Sequence, residues 1–194
     1  MKILPTAIDG VFTVDLEPFR DERGLFARTF SADDFASTGL EAVVAQCSLA
    51  YNHQAGTIRG MHWMAEPMRE SKLVRVTRGA LLDVIVDVRA DSPTYLTHVA
   101  VELTADNRRA LYVAPGLAHG YQTLVDATEA VYQMNIPFEP GHDRGLRFDD
   151  PALSIDWPLP VSVISAKDRA WPLLAPGSGA AGPSPAGVGA DLAD

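Results

Sequence analysis

The chain has 194 residues, a hydrophobic fraction of 47%, a charged fraction of 21% and a formal net charge of −9 at pH 7. That length fits one domain with a sizeable core, and the composition is ordinary for a globular protein. The acidic balance argues against nonspecific nucleic-acid binding, which needs a basic surface, and no apolar run is long enough for a membrane span. The first six residues lack the apolar core of a signal peptide. Cys47 is the only cysteine, so no internal disulfide is possible and a reducing cytoplasm is the expected location.

From Ile8 to Ile136 short runs rich in Val, Ile, Thr, Tyr and Phe recur between Gly, Pro, Asp and Asn, the pattern of strands. The first two are predicted over residues 12–16 and 25–30. A short helix follows, with Ser31 as N-cap, Asp34 three residues on and Gly39 at its end. Strands are then expected over 43–51, 57–64 and 72–77, with Arg78-Gly79 turning into residues 82–88. There Val84, Val86 and Val88 alternate with Asp83, Ile85 and Asp87, the period of a strand. Further strands are predicted over 97–103, 110–114, 120–124 and 130–136. Many short strands, few helices and no βαβ rhythm predict a mainly β, closed or sandwiched antiparallel fold. A cupin-type jelly roll is the expected form, because its bowl-shaped interior can carry polar residues. Residues 1–174 are assigned to this single domain. Residues 175–194, rich in Pro, Gly and Ala, are expected to form a flexible tail.

Chemistry concentrates in Arg59-Gly60-Met61-His62 and, ten residues on, Lys72. Histidine is the side chain suited to move a proton near neutral pH, and Arg and Lys hold anions or steady an oxyanion. In an acidic chain, such a cluster is more telling than it is in a basic one. The plain alternative is three polar residues at unrelated places on a sheet. Strict alternation would put Arg59 and His62 on opposite faces, and a bulge at Gly60 would bring both inward. His119, in the turn-like Pro115-Gly116-Leu117-Ala118-His119-Gly120, invites a metal site shared with His62. Met64, however, stands where a second ligand is wanted, and a thioether suits the usual hard cations poorly, so no metal is expected. Tyr132 reads alone as a half-buried strand tyrosine. Asp168, three residues after Ser165, reads as part of a helix N-cap, and Arg23 as an exposed turn residue.

Taken together, these segments resemble the dTDP-4-dehydrorhamnose 3,5-epimerase family. The matching stretches are Asp21-Glu22-Arg23-Gly24-Leu25-Phe26, Arg59-Gly60-Met61-His62, Lys72-Leu73-Val74-Arg75, Asp83 through Arg89, Ser92-Pro93-Thr94, Gly116 through Gly120, Asp156-Trp157-Pro158 and Ser165-Ala166-Lys167-Asp168. They run in family order from about residue 3 to residue 174. The resemblance implies a metal-independent, cofactor-free cupin, usually a homodimer, acting on a dTDP-4-keto-6-deoxyhexose. The 4-ketone acidifies the C3 and C5 protons, so that a base removes one and the enolate is reprotonated on the opposite face. By the same resemblance, His62 is the expected base, Asp168 its orienting carboxylate, Lys72 the stabiliser of the enolate oxygen and Tyr132 the acid. Arg23, Arg59 and His119 are expected on the diphosphate, with Arg23 reaching in from a partner subunit. Phe26, Gln46, Ser48 and Phe138 complete the expected substrate contacts.

The chain departs from the family pattern at several points. Phe138 replaces a usual tyrosine, Ser48 an asparagine and Met64 a glutamine, and Ala114-Pro115-Gly116 replaces Pro-x-Gly. These changes leave base and acid intact and alter the sugar's surroundings, a pattern that also suits an enzyme acting at one centre. Epimerisation at C3, C5 or both is therefore the expected reaction, with a 3-epimerase of an antibiotic deoxysugar pathway as the alternative. A sugar-nucleotide-binding cupin without catalysis and a metal-dependent cupin oxygenase are the readings from other classes.

Overall fold

The computed structural model describes residues 1–174, so the expected tail over 175–194 lies outside the described residues. Fourteen strands and two short helices are described: β1 (Lys2–Pro5), β2 (Val11–Asp15), β3 (Phe19–Asp21), β4 (Gly24–Phe26), α1 (Ala32–Ser37), β5 (Gln46–Asn52), β6 (Thr57–Met64), β7 (Lys72–Arg78), β8 (Ala80–Asp87), β9 (His98–Thr104), β10 (Ala110–Val113), β11 (Leu117–Thr123), β12 (Thr128–Met134), β13 (Asp143–Gly145), β14 (Val163–Ile164) and α2 (Ala166–Arg169). One sheet has the order β1-β2-β10-β7-β12-β5. The second has the order β13-β6-β11-β8-β9, with β14 added parallel to β6. Every other pairing is antiparallel, in the expected jelly-roll form, and β3 and β4 form a separate hairpin. None of the described helices is long and apolar enough to cross a membrane.

Each predicted strand has a counterpart, displaced by a few residues at most ends. The helix forms where its caps predicted it: the Ser31 hydroxyl accepts from the Asp34 N–H, and Gly39 follows Thr38 at positive φ. The short strands β1, β3, β13 and β14 were not predicted. They carry two to four residues each, too few to show a period.

The interior between the sheets is filled by Ile8, Val11, Val74, Val76, Leu81, Ile85, Leu103 and Leu111, with Tyr121 among them. The second sheet's outer face is also covered. Met61, Trp63, Val84 and Val86 pack there under Leu146, Leu153 and Trp157 from the chain after β12. Both faces of β8 are therefore buried, and its alternation separates two apolar layers rather than core from solvent. Asp83 falls on the interior side with Leu81 and Ile85, a placement that needs a polar partner. On the first sheet, Phe35 of α1 packs with Val14, Leu73, Ala110 and Tyr112.

Candidate active site

At one end of the interior a cavity of about 690 Å³ opens, lined by Arg59, His62, Lys72, His119, Tyr132 and Asp168 together with Tyr121, Ser165 and Lys167. Register explains the convergence. On β6 and β11, His62 lies opposite His119 and Arg59 opposite Tyr121. Gly60 and Met61 thus face the single residue Gly120, which is a β-bulge. The bulge places Arg59 and His62 on the same face, where regular alternation would have separated them. Gly60 is needed for it: its φ is +118°, and a Cβ there would sit 2.5 Å from the Gly120 Cα. On the facing sheet, β12 pairs Tyr132 with Val74 and Met134 with Lys72. Tyr132 and Lys72 therefore stand two residues apart along one face.

His62 Nε2 lies 2.6 Å from Asp168 Oδ1. The carboxylate is fixed twice more, since Gly60 N–H donates to Oδ2 at 3.2 Å and Ser165 Oγ accepts from the Asp168 N–H at 3.0 Å. The expected helix-cap role and the role toward His62 therefore coexist, because the backbone N–H serves one and the carboxylate the other. Burial alone would raise the Asp168 pKa. The hydrogen bond and charge of His62, with the Gly60 N–H, outweigh it and hold the group below its ordinary value. An ionised carboxylate only accepts, so in the neutral imidazole the proton sits on Nε2 and the lone pair on Nδ1.

Lys72 Nζ pairs with Glu70 Oε2 at 3.0 Å, both side chains largely withdrawn from solvent. Tyr132 is only partly covered along the cavity, yet its hydroxyl is held protonated. Burial is the main cause, and the neighbouring Tyr121 and the Asp83 charge add to it, raising its pKa well above the usual phenol value. The ring of His119 packs edge-on to Tyr132 with centroids 6.1 Å apart. His119 is mostly buried, and its Nε2 is engaged by Asp83 Oδ1 at 2.6 Å. Arg59 Nε donates to Asn52 Oδ1 at 2.9 Å, so its guanidinium stands beside the cavity on a fixed support.

Among the described residues no group of three or more His, Cys, Asp or Glu is arranged to hold a metal ion. His62 and His119 each spend Nε2 on a carboxylate instead.

The other expected contacts lie outside the cavity lining. Gln46, opposite Met134, and Ser48, opposite Tyr132, continue the Lys72–Tyr132 face toward the sheet edge. Gln46 links this rim: its Nε2 donates to Ser48 Oγ at 3.3 Å, and its Oε1 accepts from the Phe138 N–H at 3.0 Å. Phe138 is 44% exposed. Arg23 and Phe26 sit on the β3–β4 hairpin, with Arg23 paired to Asp21 and Phe26 78% exposed. Met64 is buried and does not line the cavity.

Asn52, Glu70, Asp83 and Tyr121 also bear on the site, and the sequence reading singled out none of them. Two of them, Tyr121 and Asp83, carry a signal in the sequence. Tyr121 follows His119 by two residues and so shares its face, and Asp83 is a carboxylate inside the apolar run Leu81 to Val88.

A sequence model of the dTDP-4-dehydrorhamnose 3,5-epimerase family matches residues 5–176. A dTDP-4-dehydrorhamnose 3,5-epimerase of Sinorhizobium fredii is 43% identical over 157 residues, 80% of either chain. Among solved structures, dTDP-4-dehydrorhamnose 3,5-epimerase from Bacillus anthracis, with TDP and PPi bound, superposes with a TM-score of 0.86. It is 37% identical, and the match covers 89% of this chain and 99% of that one. ChmJ, a 3'-monoepimerase from Streptomyces bikiniensis in complex with dTDP-quinovose, gives a TM-score of 0.82 at 31% identity, covering 88% and 86% of the two chains. With a match running from β1 to the last described residue and through every strand of the cavity, the chain belongs to the dTDP-4-dehydrorhamnose 3,5-epimerase family.

Proposed function

We infer that the protein is an isomerase that epimerises a dTDP-4-keto-6-deoxyhexose at a carbon flanking its ketone. The single observation that carries this is the set of groups around one cavity: a histidine held by a buried carboxylate, a lysine and a protonated tyrosine. His62 Nδ1 removes the proton alpha to the ketone, and Asp168 steadies the imidazolium that forms. Lys72 stabilises the enolate oxygen. Tyr132 delivers a proton to the opposite face, which inverts the centre. Arg59 favours the anionic diphosphate at the same end of the cavity.

The assembly we propose is a homodimer, with Arg23 and Phe26 supplied by the partner's hairpin. Support comes from apolar groups that no described residue covers: Phe26, Phe19 and, on edge strand β5, Leu49. Arg75, on the same sheet, has a buried Nη1 without a hydrogen-bond partner. The described domain over residues 1–174 would then act as one unit of that dimer in the cytoplasm, where the lone Cys47 stays reduced.

A second reading, epimerisation at C3 alone, is favoured by one observation. Phe138 brings a bare ring to the Gln46 rim, where the family pattern has a hydroxyl, and ChmJ, a 3'-monoepimerase, is a structural neighbour. Incubation with dTDP-4-keto-6-deoxyglucose in D₂O separates the readings. Deuterium and inversion at both C3 and C5 indicate the double epimerase, and at C3 alone the single one. Absence of deuterium and of inversion at C3 and at C5 alike would sink the enzymatic proposal.

A further inference from the structure

Asp168 is carried to His62 by the segment from Ser165 to Leu174, which follows β14 and contains α2. Two contacts tie this segment to β13. Lys167 Nζ donates to Asp143 Oδ2 at 2.6 Å, and the ring of Trp171 lies on Gly145. The ion pair is partly open to solvent and holds weakly. Trp171 is only 3% exposed, and its Nε1 finds no hydrogen-bond partner among the described residues. Packing therefore holds the ring, and packing responds to a single methyl group.

Gly145 leaves the space in which the ring sits. A Cβ there would fall on the indole, 2.6 Å from Cζ2 and nearer still to Cε2 and Nε1. The Gly145 backbone lies outside the left-handed region, so glycine serves here for room and not for conformation. Across the β6–β13 pair the same residue stands opposite His62. These contacts close a circuit. His62 faces Gly145 across the sheet, and Gly145 seats Trp171. Trp171 follows Asp168 by three residues, and Asp168 Oδ1 returns to His62 Nε2 at 2.6 Å. His62 and Asp168 line the cavity, whereas Gly145 and Trp171 do not.

We propose that Trp171, seated on Gly145, is a positioning residue for the reaction, setting the distance at which the Asp168 carboxylate holds the His62 imidazole. This rests on the reading of His62 as the base and Asp168 as its orienting carboxylate. The physical reason is leverage. α2 has four residues, so a shift of the ring just past its end passes to Asp168 with little chain to absorb it. On the other side of the ring, the Leu174 N–H donates to Oδ2 of the buried Asp150 at 2.6 Å, which ties down the chain there as well. A displacement of about 1 Å in such a geometry costs on the order of 10²-fold in rate.

The test is a double-mutant cycle on Gly145→Ala and Asp168→Asn, reading deuterium uptake by dTDP-4-keto-6-deoxyglucose in D₂O per folded enzyme. Gly145→Ala alone is expected to slow uptake about 10- to 100-fold. In the Asp168→Asn background the same methyl is expected to cost less than about 2-fold, because the charge that Trp171 positions is already gone. Equal losses in the two backgrounds would mark a structural role unrelated to Asp168 and overturn the proposal, as would no loss in Gly145→Ala. Proton NMR gives a second readout. The downfield imidazole N–H resonance that Asp168→Asn removes should shift or vanish in Gly145→Ala, and an unchanged resonance would also overturn the proposal. Trp171→Leu withdraws the ring without adding a methyl and should give the same pattern, which keeps the test open if Gly145→Ala folds poorly. If Asp168→Asn runs at the wild-type rate, the reading of the His62–Asp168 pair fails and takes this proposal with it. If Asp168→Asn is impaired while Gly145→Ala is not, only the role of Trp171 fails.

Discussion

His62 and Asp168 lie 106 residues apart in the chain and 2.6 Å apart in space. The Gly60 N–H, two residues before the histidine, holds the same carboxylate. One short segment therefore supplies both the ring and a clamp on the ring's partner. Asp168→Asn keeps the shape but loses the charge and allows the amide to select the other imidazole tautomer. We expect kcat to fall about 10²–10⁴-fold, with KM nearly constant. Steady-state kinetics on the purified variant checks this, and a loss seen only in KM would contradict it.

Lys72 is predicted to act in the transition state rather than in binding. Lys72→Ala should lower kcat about 10²–10³-fold, as loss of one oxyanion donor does. It also leaves Glu70, at 3.0 Å in the wild type, without its cation in a mostly buried position. The double variant Lys72→Met with Glu70→Gln should therefore recover stability in urea unfolding without recovering activity.

Gly60→Ala tests the bulge. The new Cβ meets the Gly120 Cα at 2.5 Å and the His119 carbonyl oxygen at 2.7 Å, and φ is positive. Relief must come from β6 or β11, the strands that carry Arg59, His62 and His119. We expect a loss of about 2–4 kcal/mol of stability, together with a fall in kcat larger than dilution by unfolded protein explains. Chemical denaturation and activity, measured on one sample, separate the two effects.

Stability at low pH should track Asp87. Its buried carboxylate accepts from Arg89, Ser92 and Thr94, and these bonds outweigh burial to hold its pKa far below the ordinary value. A depressed pKa contributes stability that is complete above the unfolded value of about 3.9 and is lost as pH falls through the folded value. Asp87→Asn should cost about 2–4 kcal/mol at pH 7. The gap to wild type should narrow steadily below about pH 4. A gap independent of pH would show that packing, not charge, is responsible.

Much of this architecture was legible in the residues, for identifiable reasons. Strands with β-branched runs and flanking Gly or Pro could be placed, and Ser31 and Gly39 bracket α1 because caps are local chemistry. The tiny strands β3, β13 and β14 were not legible, since their pairing depends on partners distant in sequence. At the site, His62 and Lys72 announce themselves by residue type. Asn52 does not: nothing local distinguishes it from any strand-end asparagine until Arg59, Tyr121 and Thr128 close around it. His119 was expected on a diphosphate, and in the fold its Nε2 is already committed to Asp83, a partner 36 residues away. Only the pairing of β8 with β11 brings the two together.

If His62 removes the proton alpha to the substrate's ketone, the rate at which dTDP-4-keto-6-deoxyglucose takes up solvent deuterium depends on that imidazole, and NMR follows it with wild type and with His62→Ala at equal folded concentration. We predict uptake at C3, C5 or both with wild type and a fall of at least about 10²-fold in the variant. Uptake by His62→Ala at the wild-type rate would show that another group removes the proton.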